Sequence, residues 1–317
     1  MPSYSGVWNL AAVYQAVGAG QWPIVGNLAF FFGTTASNVI CYVTIPTLGN
    51  AADFGDMLIK QSNLASCSSS TKGVIGGFTI SGVNANVIQK ITFQTKSNSA
   101  DFGDFTRASQ WGTAACSNET RGVLTLGYDS TPAATNVMEY VTIATDGNAT
   151  DFGDLLNSDT LVAAGCGSST RGIISGGGIG TKLNVIQYIT IATASNSIDF
   201  GDLTLATNGL AGFSSSTRGI FGGGDSGGVS YQNTISYITI ASTGNSIDFG
   251  DLTVGRRYLA GASNTTRGLF GGGDSISAVN VIDYVTIASA GNAIDFGDLV
   301  NSSNNGLSAC SNAHGGL

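Results

Sequence analysis

The tetrapeptide Asp-Phe-Gly-Asp occurs six times, beginning at Asp53, Asp101, Asp151, Asp199, Asp248 and Asp295, and nothing else in the chain constrains the fold as strongly. An asparagine stands three residues before each copy (Asn50, Asn98, Asn148, Asn196, Asn245, Asn292) and another stands fifteen before it (Asn38, Asn86, Asn136, Asn184, Asn233, Asn280). Four residues after the earlier asparagine comes Tyr42, Lys90, Tyr140, Tyr188, Tyr237 or Tyr284. A period near fifty residues marks a repeat architecture, in which each unit is a supersecondary element that cannot bury its apolar faces alone.

Each repeat reads as four short strands, A to D in chain order. In the last full copy these are LAGASN (259–264), LFGGG (269–273) after the turn TTRG, VIDYVTIAS (281–289), and AIDFGDLV (293–300) after a Gly-Asn turn. The segments are β-branched and aromatic, and strand C is apolar on both faces. Such a strand must be covered on both sides, which stacking blades around an axis achieves. Residues 27–58 supply strands B, C and D without an A strand, while residues 306–312 supply an A strand with no blade after it. The expected fold is an all-β, six-bladed β-propeller with four-stranded blades. Its ring is closed by a C-terminal strand in the first blade, which removes exposed edges. The propeller occupies residues 27–317, preceded by a segment of residues 1–26.

The pattern Arg-x-x-Leu-Ala … Gly-Gly … Asn-Val-Ile-Asp-Tyr … Asp-Phe resembles the kelch repeat, with Phe where kelch repeats usually carry Trp. The opening SGVWNLAAVYQAVGAGQWP, followed by NVIxYVTIAxxGNAxDFGDL repeats, is similar to propeller proteins of tailed phages, notably marine and cyanobacterial ones. The similarity covers essentially the whole chain. It implies a non-enzymatic virion structural protein of the tail, fibre or baseplate region that displays loops for host recognition or adhesion. It also implies other virion proteins as partners, a homo-oligomeric or symmetric assembly, and a host-surface glycan or protein as ligand. The second reading is a carbohydrate-active propeller, a lectin or a glycan hydrolase.

Several chemistries are disfavoured by residue type. A net charge of −8 argues against a grip on nucleic-acid phosphates. There is no apolar run of 18 residues to span a membrane. The N-terminus has neither a basic n-region nor an unbroken apolar core, so a chain made in the host cytoplasm without a signal peptide is expected. The single histidine, His314, cannot build a multi-imidazole metal site, and no cofactor, metal or catalytic residue is expected. Cys67, Cys116, Cys166 and Cys310 share one repeat position with Phe213 and Ala262, which marks a buried apolar site of reduced thiols rather than disulfide halves. A hydrolase would need two acids converging on a pocket. Loop acids are few, and Glu139 reads as drift at a position otherwise Cys41, Gln89, Gln187, Ser236 or Asp283.

The spacing within the C–D hairpin never varies, whereas the D–A and B–C connections differ in length. In a four-stranded meander those two connections emerge on one face, so binding loops are expected there on a rigid scaffold. The candidate ligand or partner residues are Arg107, Trp111, Tyr128, Asp225, Tyr231, Arg256, Arg257, Tyr258 and Asp274, cationic and aromatic side chains suited to sugar or protein contact. On the opposite, near-constant face, Lys72, Arg121, Arg171, Arg218 and Arg267 are expected to form charge-assisted hydrogen bonds within or between blades. In residues 1–26 the stretch WNLAAVYQAV has helical spacing, and Trp8, Tyr14 and Trp22 are candidates for attachment to a larger assembly.

Overall fold

The computed structural model describes residues 27–317 apart from 34–36, 62, 78–84, 110–111, 128–133, 179, 228–230 and 304–305. Among the described residues there are 24 strands in six four-stranded antiparallel sheets, and no helix. The inner strands Ser308–Ser311, Ala65–Ser68, Gly112–Ser117, Ala164–Gly167, Ala211–Ser214 and Ala260–Ser263 succeed one another around the axis. Blade one is the composite expected from the split repeat. Its inner strand Ser308–Ser311 pairs with Leu28–Phe32, Phe30 lying opposite Cys310 and Phe32 opposite Ser308. Val39–Thr44 and Ala52–Asp56 complete it. The candidate attachment helix with Trp8, Tyr14 and Trp22 lies outside the described residues.

The invariant C–D hairpin owes its shape to a bulge. Ile40 faces Gly55 while Cys41 faces Asp53, so Phe54 is the extra residue, and strands C and D pair with the same shift in every blade. The bulge breaks strict alternation, so Phe54 turns into the core while Asp53 stays exposed. Strand-C tyrosines meet these phenylalanines edge-on, as in Tyr140–Phe152 at 6.0 Å and Tyr237–Phe249 at 5.9 Å.

Over each tyrosine lies a turn cation. Arg121, Arg171, Arg218 and Arg267 sit 4.3–4.5 Å from the rings of Tyr140, Tyr188, Tyr237 and Tyr284. Each donates through Nη1 to a carbonyl of the next blade: Ile191, Ile240, Ile287 and Ile45 respectively, at 2.8–3.0 Å. The expected bridging role of these cations is therefore present, with turn carbonyls as acceptors. Two blades depart from the pattern, and both departures are compensated across the boundary. Blade two carries Lys72 and Lys90 in place of Arg and Tyr, and Asp146 of blade three pairs with both. In blade one Leu28 takes the Arg register, facing Thr44 as Arg121 faces Thr142, and Lys96 from blade two covers Tyr42 at 5.1 Å. Arg218→Ala should lower stability by about 1 kcal/mol, the scale of a half-exposed cation–π contact with one hydrogen bond. Unchanged denaturant unfolding would show that the bridge contributes nothing.

The junction between successive blades explains the invariant asparagine. Asn98 Oδ1 accepts from the Asp56 amide of the preceding blade at 3.0 Å. Asn148, Asn196, Asn245 and Asn292 accept likewise from Asp104, Asp154, Asp202 and Asp251. Asn50 closes the series by accepting from Asp298 of blade six at 3.1 Å. Backbone bonds flank each clamp: at the seam, Gly49 N donates to Phe296 O and Ala51 N to Asp298 O. The ring is thus sealed at blades six and one by the same contacts that join its other neighbours.

At the axis, the glycine after each turn cation makes room for the neighbouring blade's inner strand. A Cβ on Gly122 would lie 2.3 Å from Cys67 Sγ, and one on Gly172 the same distance from Cys116 Sγ. All five cysteines are buried and free. Burial pushes the Cys116 and Cys310 thiols up to about 12, so they stay protonated and inert. One step along, serines form a hydroxyl-to-carbonyl relay. Ser117 donates to Ser68 O, Ser68 to Ser311 O, Ser311 to Ser263 O, Ser263 to Ser214 O, and Ser214 to Gly167 O.

Candidate functional site

Connections of unequal length emerge on one face, and on blades four to six they converge. The D–A connection entering blade six is bridged to that blade's B–C loop by a reciprocal backbone pair, Arg257 with Asp274 at 2.8 and 3.0 Å. Asn208 and Asp225 are bridged in the same way in blade five. This fixes Arg257 as a hub. Its Nη1 is 2.8 Å from Asp225 Oδ2 and its Nε is 3.5 Å from Asp274 Oδ2. Its guanidinium lies 4.8 Å from the Tyr258 ring and 5.3 Å from that of Tyr231. Lys182 of blade four reaches Asp225 Oδ2 at 4.0 Å. The result is a half-buried patch of alternating charge edged by two tyrosines. Tyr258 has a positive φ of 58° and its amide donates to Gly209 O at 2.7 Å, so a bulky residue is held in the left-handed region.

Five of the residues singled out in the sequence, Asp225, Tyr231, Arg257, Tyr258 and Asp274, are therefore brought together. Arg256 is not among them. It is 0 % exposed and pairs in the core with Asp283, also 0 % exposed, at 2.9 Å, while Nη2 donates to Phe270 O at 3.1 Å. The connection runs inward at Arg256 and outward at Arg257, so adjacent arginines have opposite tasks. Arg107 is exposed in the long outer strand Ala100–Ser109 of blade two, across the ring from the Arg257 patch. Trp111 and Tyr128 lie outside the described residues.

Two patch members were missed. Lys182 is the only Lys or Arg in any B–C loop, a signal that was available. Ile276 is 93 % exposed with φ 88°, in the same loop as Asp274. A β-branched residue at positive φ is a conformational outlier, and here it presents an apolar side chain to solvent. Glu139, read as drift, is fully buried and accepts from the Thr106 amide at 3.0 Å and from its hydroxyl.

The opposite face holds the mouth of the axial channel, lined there by Ser68, Ser117 and His314 among others. The C-terminal residues lie over it: Gly315 N donates to Ser214 O at 3.0 Å, and His314 Nε2 donates to Ser68 O at 3.0 Å. His314 Nδ1 accepts from Gly316 N at 3.0 Å, so this nitrogen must stay unprotonated. Burial holds the imidazole below its ordinary value of 6.5. The unfolded chain therefore binds a proton at a pH where the folded one does not, and stability falls as pH drops through about 6.5. Protection of the Gly315 and Gly316 amides against hydrogen exchange, taken relative to the intrinsic rate at each pH, should fall between pH 7.5 and 5 in the wild type more than in His314→Gln. Equal pH responses would refute the assignment.

Among the described residues no group of three or more His, Cys, Asp or Glu is placed to hold a metal ion, and no helix is long and apolar enough to cross a membrane. No protein-family model matches the chain, and no curated protein matches it.

Proposed function

We propose that this chain is a non-enzymatic structural protein of a tailed-phage particle, from the tail or fibre region. In this reading a kelch-like ring presents a recognition surface on blades four to six. The observation that carries this reading is the division of labour between faces. The constant face spends its recurring polar groups on junctions between blades. The length-variable face gathers Lys182, Arg257, Tyr231, Tyr258 and the exposed Ile276. Aromatic and arginine side chains beside an exposed apolar residue are what interface hot spots are made of. The sequence resemblance supports the virion assignment, with synthesis in the host cytoplasm. Asn27, the first described residue, accepts from Ile45 N beside the C–D turn of blade one, on the face opposite the patch. That arrangement suits attachment to other virion proteins at one face and contact with a host glycan or protein at the other.

A glycan-hydrolase reading needs two acids with different tasks over one substrate. Asp225 and Asp274, the acids of this patch, are both engaged by Arg257, which favours binding over hydrolysis. The test is binding of the purified protein to host envelope fractions. Tyr258→Gly, which keeps the left-handed residue, and Ile276→Ser should each weaken binding about tenfold, or 1.4 kcal/mol, with unfolding unchanged. Wild-type binding by both variants would sink the reading, and release of sugars from envelope polysaccharide would overturn its non-enzymatic half.

A further inference from the structure

The six junctions differ at one strand-C position, and in blade five the difference leaves a cleft. In every blade this residue is buried where the connection from the preceding blade crosses strand C. In blade two, Gln89 Oε1 accepts from Ile59 N at 3.2 Å and Ser99 Oγ at 2.7 Å, and its amide donates to Gln61 at 2.7 Å. In blade four, Gln187 Oε1 accepts from Leu156 N and Ser197 Oγ at 2.9 and 2.7 Å. In blades three and six an acid does the same work. Glu139 accepts from the amide and hydroxyl of Thr106, and Asp283 from those of Thr253 at 3.2 and 2.6 Å. Each of these junctions thus carries a side-chain carboxyl or carboxamide oxygen, held by a backbone amide and a hydroxyl.

Blade five keeps the donors and lacks the oxygen. Thr204 stands where Thr106 and Thr253 stand, and Ser246 where Ser99 and Ser197 stand, with Thr204 N bonded to Ser246 Oγ at 3.0 Å. The strand-C residue, however, is Ser236, too short to reach them. Facing it is Thr207, at the register of Gln61 and Arg256, five residues past the last Asp of the motif. Both members of the buried polar pair have shrunk, and a small open cleft remains, walled by Leu205, Leu210 and Phe221 and bearing Thr204, Thr207 and Ser236. The cleft at blade one also has a short residue, Cys41, but Val300 stands at the Thr204 register and, among the described residues, no hydroxyl donor lines it.

The geometry points to the Ser236 cleft as a binding site for a carboxyl or carboxamide group on a short aliphatic stem, the group that Glu139 and Gln187 supply internally elsewhere. The stem would lie on the leucines and the phenylalanine, and the oxygen would accept from the Thr204 and Ser246 hydroxyls. The site stands independently of the recognition role proposed above. A free small acid or amide, or a Glu or Gln side chain of a partner, could each provide the group.

Ligand-observed NMR on the full chain can test this with n-butyramide, butyrate, n-butanol and acetyl-Gly-Gln-Gly-amide, at up to about 100 mM, the range that so few atoms require. Butyramide or butyrate should bind, with n-butanol at least tenfold weaker. Ser236→Gln, which rebuilds the filled junction, should weaken binding at least tenfold and raise the melting temperature. Thr204→Val provides the same test should that variant misfold. Binding of the free molecules alone assigns a small-molecule site, and binding of the tripeptide as well assigns a partner side chain. No binding, equal binding of butanol, or binding that survives both substitutions would overturn the proposal.

Discussion

Arg256→Ala is expected to cost about 3–5 kcal/mol of folding stability, the penalty for leaving one member of a buried ion pair without its partner. Arg256 and Asp283 are both fully buried, and with Arg256 gone the Asp283 carboxylate would retain only the Thr253 amide and hydroxyl. Burial pulls the guanidinium below its ordinary range while Asp283 opposes that shift. The pair is not irreplaceable. Blade two meets the same packing problem with Gln61 and Gln89, so the double variant Arg256→Gln with Asp283→Gln should regain most of the loss. Equilibrium denaturation decides the matter. A single variant within about 1 kcal/mol of wild type, or a double variant as unstable as the single, would contradict this account.

Replacing the glycine of the repeated tetrapeptide should be nearly as damaging, and as damaging at the seam as within the ring. Gly201 has φ 146°, and a Cβ there would lie 2.5 Å from the Gly244 carbonyl of the next blade. Gly297 has φ 145° and the corresponding distance to Gly49 of blade one is 2.6 Å. Alanine at either site combines an unfavourable backbone conformation with a clash against a backbone that cannot retreat, about 2–4 kcal/mol in all. Gly201→Ala and Gly297→Ala should therefore shift thermal unfolding by similar amounts. A neutral Gly297→Ala beside a damaging Gly201→Ala would mean that blades six and one are not sealed as the others are.

The ring was legible because its determinants recur. Six copies of one tetrapeptide, each with asparagines at fixed offsets, announce six equivalent units, and the misplaced A strand at residues 306–312 announces how they close. The bulge at Phe54 and the clamp at Asn98 give physical reasons for that invariance. What recurs less was harder to read. Arg256 and Arg257 are neighbours of the same type, and only the path of the connection sends one into the core and the other to the surface. Glu139 looked like drift because the partner that gives it meaning, Thr106, lies in the preceding repeat. The same holds for Lys96 and Asp146, which make sense only against Tyr42 and the Lys72–Lys90 pair of the neighbouring blade. Repeats compared position by position conceal such pairs, because the compensation runs between blades.

The proposed division of the ring into a structural face and a binding face, and the proposed place in a phage particle, would be tested most directly by electron cryomicroscopy of intact particles at a resolution that orients the propeller. The account predicts that in the proposed phage particle the face bearing the Asn50-type clamps points inward, with Arg257, Tyr258 and Ile276 directed outward. A propeller whose Arg257 patch is packed against another virion protein, with the clamp face turned to solvent, would contradict it.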